Sequence, residues 1–271
     1  MKKIIAYSLW GNDPMYNIGA IKNAKLALEF YPDWISRFYV GFSASRDTVI
    51  QLTQIPNTEV VVVQESNDWT GMFWRFFGVD DSDVILFRDA DSRLSQREVS
   101  ANNEFLASDK VLHIMRDHPY HTERIMGGMW GVKSKPFVEI LRNTLDGVSG
   151  LSFFEIINHW KNSTKNTLNE KGIDQLFLRG IYKAMYKYSF IHDSFPNYNA
   201  HSNRHPTVSV SGHVAEFSTG FPSRYQNKHD FVGQVFDENN TPVQEYADRL
   251  IEVVKFIDPS FEIEHWSKNH E

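Results

Sequence analysis

Two pairs of aspartates, each separated by one residue, have the spacing for metal chemistry. Asp81 and Asp83 precede an apolar run at residues 84–87, whereas Asp89 and Asp91 follow it. In open α/β sheets, ligands bind beyond the carboxyl ends of the strands. The second pair is therefore placed to direct two carboxylates at Mg²⁺ or Mn²⁺, which take oxygen ligands and share them with substrate phosphates. The alternative is a solvated acidic turn in front of the next helix.

Histidines supply further candidates for such a site. His192 follows an apolar pair at a predicted strand end, a position that favours a metal ligand. His118 precedes Pro119 in a loop, and it either lines the pocket or is a hydrogen-bonded loop residue. Several other histidines fall in an irregular stretch at residues 193–242, and any of them could replace His192: His201, His205, His213 and His229.

Alternating apolar runs and helix-like segments must position these residues. The predicted strands are residues 3–9, 38–42, 60–63, 84–87, 111–115, 128–133 and 188–191. Continuous β-branched runs, above all the valines at 60–63, are typical of parallel strands covered on both faces. The predicted helices are one capped by Asn17, one at 70–77, one with a capping box of Ser95 and Glu98, one opened by Pro136 at its first position, and three at 152–162, 174–186 and 243–257. This alternation predicts an α/β fold with a Rossmann-like, open, mostly parallel sheet flanked by helices.

Length and composition exclude several classes of protein. The 271 residues favour a single domain, with residues 1–115 as a nucleotide-binding half and residues 116–271 as a substrate-shaping half. A net charge of −6 argues against nucleic-acid binding through a basic field, and the absence of cysteine excludes disulfides, zinc-thiolate sites and thiol nucleophiles. No apolar run approaches the ~20 residues of a membrane span, and the first residues do not form a secretion signal. We therefore expect a cytoplasmic protein, with peripheral membrane contact left open.

Three runs of residues carry a resemblance to a known family: Phe73-Trp74-Arg75-Phe76, Arg88-Asp89-Ala90-Asp91-Ser92-Arg93 and Gly127-Gly128-Met129-Trp130-Gly131. With them the sequence resembles glycosyltransferases of the GT-A fold, in which a D-x-D motif after an apolar strand holds a divalent metal on the diphosphate of a nucleotide-sugar. The order of the motifs is similar to that of glycogenin-like and galactosyltransferase-like enzymes, and the runs resemble those of bacterial and viral sugar transferases. The resemblance covers about residues 3–235.

The resemblance implies a role for each matching residue. Asp89 would lie near the ribose and the metal, Asp91 would be the direct metal ligand, and His192 would complete the metal shell. The implied nucleotide-binding residues are Ser8, Leu9, Trp10, Gly11, Tyr16 and Arg75. The implied donor-sugar and acceptor residues are His118, Gly127, Gly128, Trp130 and the pair Asp174-Gln175. Related retaining enzymes carry Asn-Ser/Ala-Gly where this chain has Gly127-Gly128, so the stereochemical outcome stays open.

Sugar transfer from a diphosphate sets the chemistry that these residues would perform. A cation at Asp91 would neutralise the charge that develops on the leaving oxygen. Asp117 or Asp174 could stabilise the oxocarbenium-like sugar, or serve as the general base of an inverting enzyme. The expected function is therefore metal-dependent transfer of a sugar from a nucleotide-sugar to a glycan or lipid-linked saccharide, as in polysaccharide biosynthesis. The resemblance implies a UDP-sugar as the donor. The alternatives are a haloacid-dehalogenase-like phosphohydrolase and a carbohydrate-binding protein without turnover.

Overall fold

A sheet of eight strands forms the centre of the computed structural model, which describes residues 1–64, 68–164, 168–196 and 218–260. In chain order the strands are β1 (Lys3–Leu9), β2 (Ile35–Val40), β3 (Thr58–Val62), β4 (Val84–Arg88), β5 (Leu112–Arg116), β6 (Met129–Lys133), β7 (Ser189–Asp193) and β8 (Ser218–Thr219). Across the sheet they lie in the order β3-β2-β1-β4-β6-β5-β7-β8.

The strand directions bring one set of strand ends together. Neighbouring strands are parallel except where β6 is involved, and β6 runs antiparallel to both β4 and β5. All strands but β6 therefore end at the same edge of the sheet, which we call the carboxyl edge. β6 begins at this edge, where its first residue, Met129, pairs with Arg88 at the end of β4. The predicted open, mostly parallel α/β sheet is confirmed.

Helices and a long 3₁₀ segment cover the sheet. The helices are α1 (Pro14–Phe30), α2 (Arg46–Thr53), α3 (Gln96–Ala107), α4 (Ser134–Thr144), α5 (Phe153–Ser163), α6 (Ile173–Met185) and α7 (Gln244–Ile257). The 3₁₀ segment spans Trp69–Asp81, and a single 3₁₀ turn spans Tyr186–Tyr188. In the described part of the chain, every helix is either too short or too polar to cross a bilayer.

Alternate side chains of β1 are buried on opposite faces of the sheet. Ile5, Tyr7 and Leu9 pack with the alanines of α1 in one apolar cluster. Ile4 and Ala6 belong to a second cluster, which includes side chains of the 3₁₀ segment, α5 and α6. Because both faces are covered, β1 needs apolar residues at every position, and this explains its continuous apolar sequence.

The valine-rich strand β3 is less buried than its sequence predicts. It is the first strand in the sheet order and pairs with β2 alone. Its side chains are half-buried or exposed, with Val61 37% and Val62 58% exposed. The prediction of burial on both faces is wrong for this strand, because an edge strand receives less cover from the flanking helices than a central one.

Two predicted helix caps differ in detail. Asp13 caps α1, with its carboxylate accepting from the N–H of Met15, whereas Asn17 lies inside the helix. Ser95 caps α3 by accepting from the N–H of Glu98, but the second half of the capping box is not formed. The Glu98 carboxylate is buried and binds Arg88 Nε at 3.2 Å instead. Tertiary pairing thus takes precedence over the local cap.

Two other predicted helices begin or extend differently. The helix expected at residues 70–77 is a 3₁₀ segment that continues through Asp81. The helix expected to open at Pro136 begins at Ser134, which places the proline in the first helical turn. A proline in the first turn costs little, because its missing N–H would have no partner inside the helix.

Candidate functional site

Residues from four separate segments meet at the carboxyl edge. Asp89 follows β4, Gly127 and Gly128 precede β6, and Asp174 lies in the first turn of α6. Arg75 comes from the 3₁₀ segment, whose backbone N–H at this residue donates to the hydroxyl of the β1 residue Ser8 at 3.0 Å. The structure therefore brings together five residues that the family resemblance assigned to the nucleotide and donor-sugar site.

Arg75 bridges two carboxylates at the centre of this group. Its Nη1 pairs with Asp89 Oδ1, and its Nη2 donates to Asp174 Oδ2 at 2.8 Å. The guanidinium and Asp174 are buried, whereas the side chain of Asp89 is 44% exposed. Burial raises the pKa of Asp174 although Arg75 faces it. The bridge is thus buried at Asp174 and partly exposed to solvent at Asp89.

The two glycines leave room for these carboxylates. A Cβ on Gly127 would overlap Asp174 Oδ2 and lie 2.7 Å from Arg75 Nη2. A Cβ on Gly128 would overlap the carboxylate of Asp89 and lie 2.7 Å from its backbone N. A side chain at either position would displace a charged group of the site. This close approach, rather than backbone strain, explains the glycine pair.

Asp91 experiences an unusual electrostatic environment. Burial, followed by the negative charge of Asp89, raises the pKa of Asp91 to about 7. Burial and the charge of Asp91 in turn raise the pKa of Tyr16 to about 12. Two carboxylates one residue apart thus carry negative charge that the nearby cations do not fully compensate, and a bound divalent cation would relieve it.

The donor set is suited to a metal shared with a substrate. Across the described ranges, no three His, Asp or Glu side chains converge on one point that could hold a metal ion. The side chain of Asp89 is 44% exposed and Asp91 is half-buried, and both offer carboxylate oxygens. Mg²⁺ commonly takes one or two carboxylates and completes its shell with water and substrate phosphates. The residues present therefore fit a cation that is bound together with a diphosphate.

The end of β1 forms the neighbouring wall. The ring of Trp10 packs edge-on against Trp69 and Trp74, with centroid distances of 6.1 and 5.8 Å. Gly11 adopts φ 71°, a conformation that favours glycine, and its N–H donates to the hydroxyl of Ser43 at 2.7 Å. The side chain of Leu9 packs in the α1 cluster, so only the backbone of Leu9 could contact a nucleotide.

Trp130 lies in the core and not at the site surface. It is fully buried, with its ring 4.0 Å from that of Phe87 and 5.2 Å from that of Phe76 between centroids. Its Nε1 donates to the carbonyl of Gly127 at 3.1 Å. The implied role of Trp130 at the donor-sugar and acceptor site is corrected, because β6 is a central strand with both faces covered. Its indole holds the glycine pair in place instead.

Asp117 is enclosed by hydrogen-bond donors. It is fully buried and forms a bidentate ion pair with Arg97 at 2.6 and 2.7 Å. Its carboxylate also accepts from Ser194 Oγ, the hydroxyl of Tyr225 and the N–H of Val232. A carboxylate with both oxygens occupied in this way cannot reach an acceptor hydroxyl. The geometry corrects the proposal of Asp117 as a base and gives it a structural role.

His118 also holds the fold together. Its Nε2–H donates to the carbonyl of Tyr246 at 2.8 Å, and its Nδ1 accepts from the N–H of Tyr120 at 3.0 Å. Burial lowers the pKa of His118 to about 4, so the ring is neutral. Because both nitrogens bind backbone groups, His118 does not face a donor sugar as predicted. It anchors the start of α7.

His192 has both ring nitrogens engaged. Its Nδ1 lies 2.8 Å from Nε2 of His113, and its Nε2 lies 3.0 Å from Glu104 Oε2. Neither contact involves the acidic turn (residues 89–92), so a metal role for His192 would require one of them to open. The alternative His229 lies 3.3 Å from Gln234 Oε1 through its Nδ1. The remaining alternatives lie outside the described residues: His201, His205 and His213.

Sequence reasoning missed two residues near Asp91. The charge of Asp91 raises the pKa of Tyr246, and the charge of Lys171 lowers the pKa of Asp91. Tyr246 lies in α7, and Lys171 precedes α6. No spacing in the sequence links either residue to the acidic turn. Both become visible as neighbours when α6 and α7 are placed against the carboxyl edge.

Several solved structures are similar to this chain. One is the galactosyltransferase LgtC in complex with donor and acceptor sugar analogues, with 14% identity, 97% of this chain and 98% of that chain covered, and a TM-score of 0.48. Another is a glycosyltransferase involved in glycosylation of the major capsid of PBCV-1, with 12% identity, coverage of 72% and 82%, and a TM-score of 0.45. A third is S. aureus TarS 1-349 in complex with UDP, with 11% identity, coverage of 72% and 58%, and a TM-score of 0.45.

Sequence comparison adds no relative to these. No protein-family model matches the chain, and no curated protein matches it. The likeness to the solved structures concerns the path of the chain, at identities of 14% or less. Any conclusion about an activity therefore depends on the side chains at the carboxyl edge.

Proposed function

We propose that this protein is a metal-dependent glycosyltransferase that moves a sugar from a nucleotide-sugar to a glycan or lipid-linked saccharide. One observation carries the proposal. Asp89 and Asp91 hold partly uncompensated negative charge at the carboxyl edge, beside an Arg75 that also binds Asp174. This is the position at which open α/β sheets bind ligands.

Asp89 and Asp91 would hold the cation together with the donor diphosphate. Bound there, Mn²⁺ or Mg²⁺ supplies Lewis-acid stabilisation of the charge that develops on the leaving diphosphate. Trp10 and the backbone of Gly11 line the neighbouring wall, where a base and ribose would lie. The family resemblance implies a UDP-sugar, and we propose it as the donor.

The sugar would lie over the Arg75 bridge. Asp174 and Gln175 open α6 at the buried end of this bridge, and Gln175 is half-buried. Its amide can donate to and accept from sugar hydroxyls. Asp117 is enclosed by its own partners, and Asp174 is also buried, so Asp174 would stabilise positive charge on the sugar through its negative charge and not by direct contact. Its pairing with Arg75 keeps the carboxylate oriented.

A thermal-shift screen tests this proposal. UDP, GDP and CDP are each added with Mn²⁺ and with EDTA, and ligand binding raises the melting temperature by mass action. We expect a rise with UDP that requires Mn²⁺, followed by Mn²⁺-dependent hydrolysis or transfer from a panel of UDP-sugars. Asp91→Ala should lose this response. Asp83→Ala is the matched control, because Asp83 belongs to the other D-x-D tripeptide and binds the backbone N–H of Lys2.

The two alternatives give different results in the same screen. A phosphohydrolase would release phosphate from phosphomonoesters and would not require an intact nucleotide-sugar. A carbohydrate-binding protein without turnover would respond to free saccharides and be indifferent to Mn²⁺ and nucleotides. Either pattern, or an Asp91→Ala variant with full metal-dependent activity, would contradict the proposed function.

A further inference from the structure

The backbone carbonyls of residues 89–92, which we call the acidic turn, are all hydrogen bonded. Ser92 Oγ donates to the carbonyl of residue 89 at 3.1 Å, and the N–H of Phe236 donates to the carbonyl of residue 91 at 2.8 Å. Arg93 Nη1 donates to the carbonyls of residues 90 and 92, at 3.1 and 2.8 Å. Asn23 Nδ2 also donates to the carbonyl of residue 92, at 2.8 Å. A turn with its carbonyls held from behind has few ways to rotate. The backbone from which the carboxylates of Asp89 and Asp91 extend is therefore fixed.

Arg93 is the donor shared by two of these carbonyls, and it is itself held in place. Its Nε donates to Asn240 Oδ1 at 3.0 Å, and its guanidinium lies 4.7 Å from the ring centroid of Phe236. Asn240 and Phe236 belong to the loop of residues 231–243, far from the acidic turn in sequence. Neither Arg93 nor its neighbour Arg88 pairs with the carboxylates of the turn. Arg88 binds Glu98 instead.

Helix α1 closes the other side of the turn. A Cβ on Gly19 would overlap the carbonyl oxygen of Ala90 and lie 2.8 Å from Arg93 Nη1. Asn23, one helical turn further on, also accepts from the N–H of Leu94 at 3.1 Å. The turn is thus enclosed between α1 and the 231–243 loop. It cannot move away from a ligand without breaking contacts on one side.

We propose that Arg93, oriented by Asn240, is a positioning residue that fixes the carboxylates of Asp89 and Asp91 for a divalent cation. The reason is mutual repulsion: two carboxylates one residue apart favour turning away from each other until a cation binds. Holding the backbone from behind removes this freedom in advance. The proposal deepens the proposed function and rests on it, because it assumes that the turn binds a metal.

Asn240→Gly is the sharpest test of this arrangement. Asn240 has φ 61°, where glycine is unstrained, so the variant removes the acceptor for Arg93 Nε without disturbing the backbone. Asn57→Gly is the matched control, because Asn57 has φ 55° and its side chain donates to the carbonyl of Pro32. Both variants lose one asparagine side chain from a left-handed position, and only one of them concerns the acidic turn.

The measurement is the affinity for Mn²⁺ in the presence of UDP, corrected for the binding of Mn²⁺ to UDP in solution and followed by electron paramagnetic resonance of the free ion. We expect Asn240→Gly to weaken Mn²⁺ binding by about tenfold, the lower end of what outer-shell changes cost metal sites. Asn57→Gly should bind Mn²⁺ like the wild type. Asn240→Asp restores an acceptor in a left-handed position that aspartate tolerates, and it should return the affinity close to that of the wild type.

The possible failures are distinguishable. Equal Mn²⁺ affinity for the wild type and both glycine variants would overturn the role of Arg93 and Asn240 while leaving the proposed function intact. A wild-type protein that binds no Mn²⁺ would overturn the proposed function and this proposal with it. A tenfold loss confined to Asn240→Gly supports the positioning role, even before any sugar transfer has been measured.

Discussion

Replacing Asp174 with asparagine should destabilise the protein far more than its small change in shape suggests. Asp174 Oδ2 accepts from Arg75 Nη2 at 2.8 Å, and both groups are buried. Removing one partner of a buried ion pair leaves a buried charge uncompensated and costs roughly 3–5 kcal/mol. Asp89 still pairs with Arg75 in the variant and compensates part of its charge. We therefore expect a loss at the lower end of this range, about 3 kcal/mol.

Urea unfolding followed by tryptophan fluorescence measures this loss of free energy, and thermal unfolding shows it as a lower melting temperature. At about 2–4 °C per kcal/mol for a chain of this size class, the melting temperature should fall by roughly 6–12 °C. Glu123→Gln is the control, because Glu123 pairs with Arg179, which is 55% exposed, at a similar distance of 2.7 Å. An exposed pair contributes at most about 1 kcal/mol. If Asp174→Asn lost no more stability than Glu123→Gln, the account of the Arg75 bridge as a buried charge pair would be refuted.

Two further predictions concern packing and pH. Gly128→Ala should weaken Mn²⁺-dependent UDP binding by at least about tenfold, because its Cβ would overlap the carboxylate of Asp89. Gly180→Ala is the control, because the space around its Cβ is open, and it should bind UDP like the wild type. Isothermal titration measures both affinities, and equal values for the two variants would contradict the prediction. Burial lowers the pKa of His118 to about 4, and its Nδ1 accepts from the N–H of Tyr120. Between pH about 4 and about 6.5, His118 is therefore protonated in the unfolded chain and neutral in the folded protein. The free energy of unfolding should therefore fall as the pH drops from about 6.5 to about 4, with His118 contributing about 3 kcal/mol. In urea unfolding, a His118→Asn variant should show a smaller dependence of this free energy on pH. Parallel pH curves for the variant and the wild type would contradict this prediction.

The sheet and the acidic turn were predictable because they depend on local patterns. Continuous apolar runs indicate buried strands, and a polar pair after such a run lies at the carboxyl edge when the strands are parallel. The choice of Asp89 and Asp91 over Asp81 and Asp83 required no knowledge of other segments. Asp81 does lie at the opposite end of the sheet, where it pairs with Arg37.

The misassigned site residues have partners that are distant in sequence. Nothing near Asp117 in the sequence indicates that Arg97 on α3 encloses it, and nothing near His118 indicates that α7 packs against it. The resemblance placed Trp130 at the donor-sugar site, yet β6 inserts antiparallel into the middle of the sheet and buries this side chain. Burial depends on which segments meet, and a single sequence does not specify that for polar residues. The same limit hid Arg93 as the residue behind the acidic turn.

The most direct test of the central claim is the position of a metal ion in crystals grown with MnCl₂ and UDP. Anomalous scattering locates manganese independently of any assumption about the site. We predict one strong peak at the acidic turn, at about 2.1 Å from a carboxylate oxygen of Asp91, with the diphosphate completing its coordination. A peak elsewhere on the protein, or UDP bound with no manganese at the turn, would contradict the account.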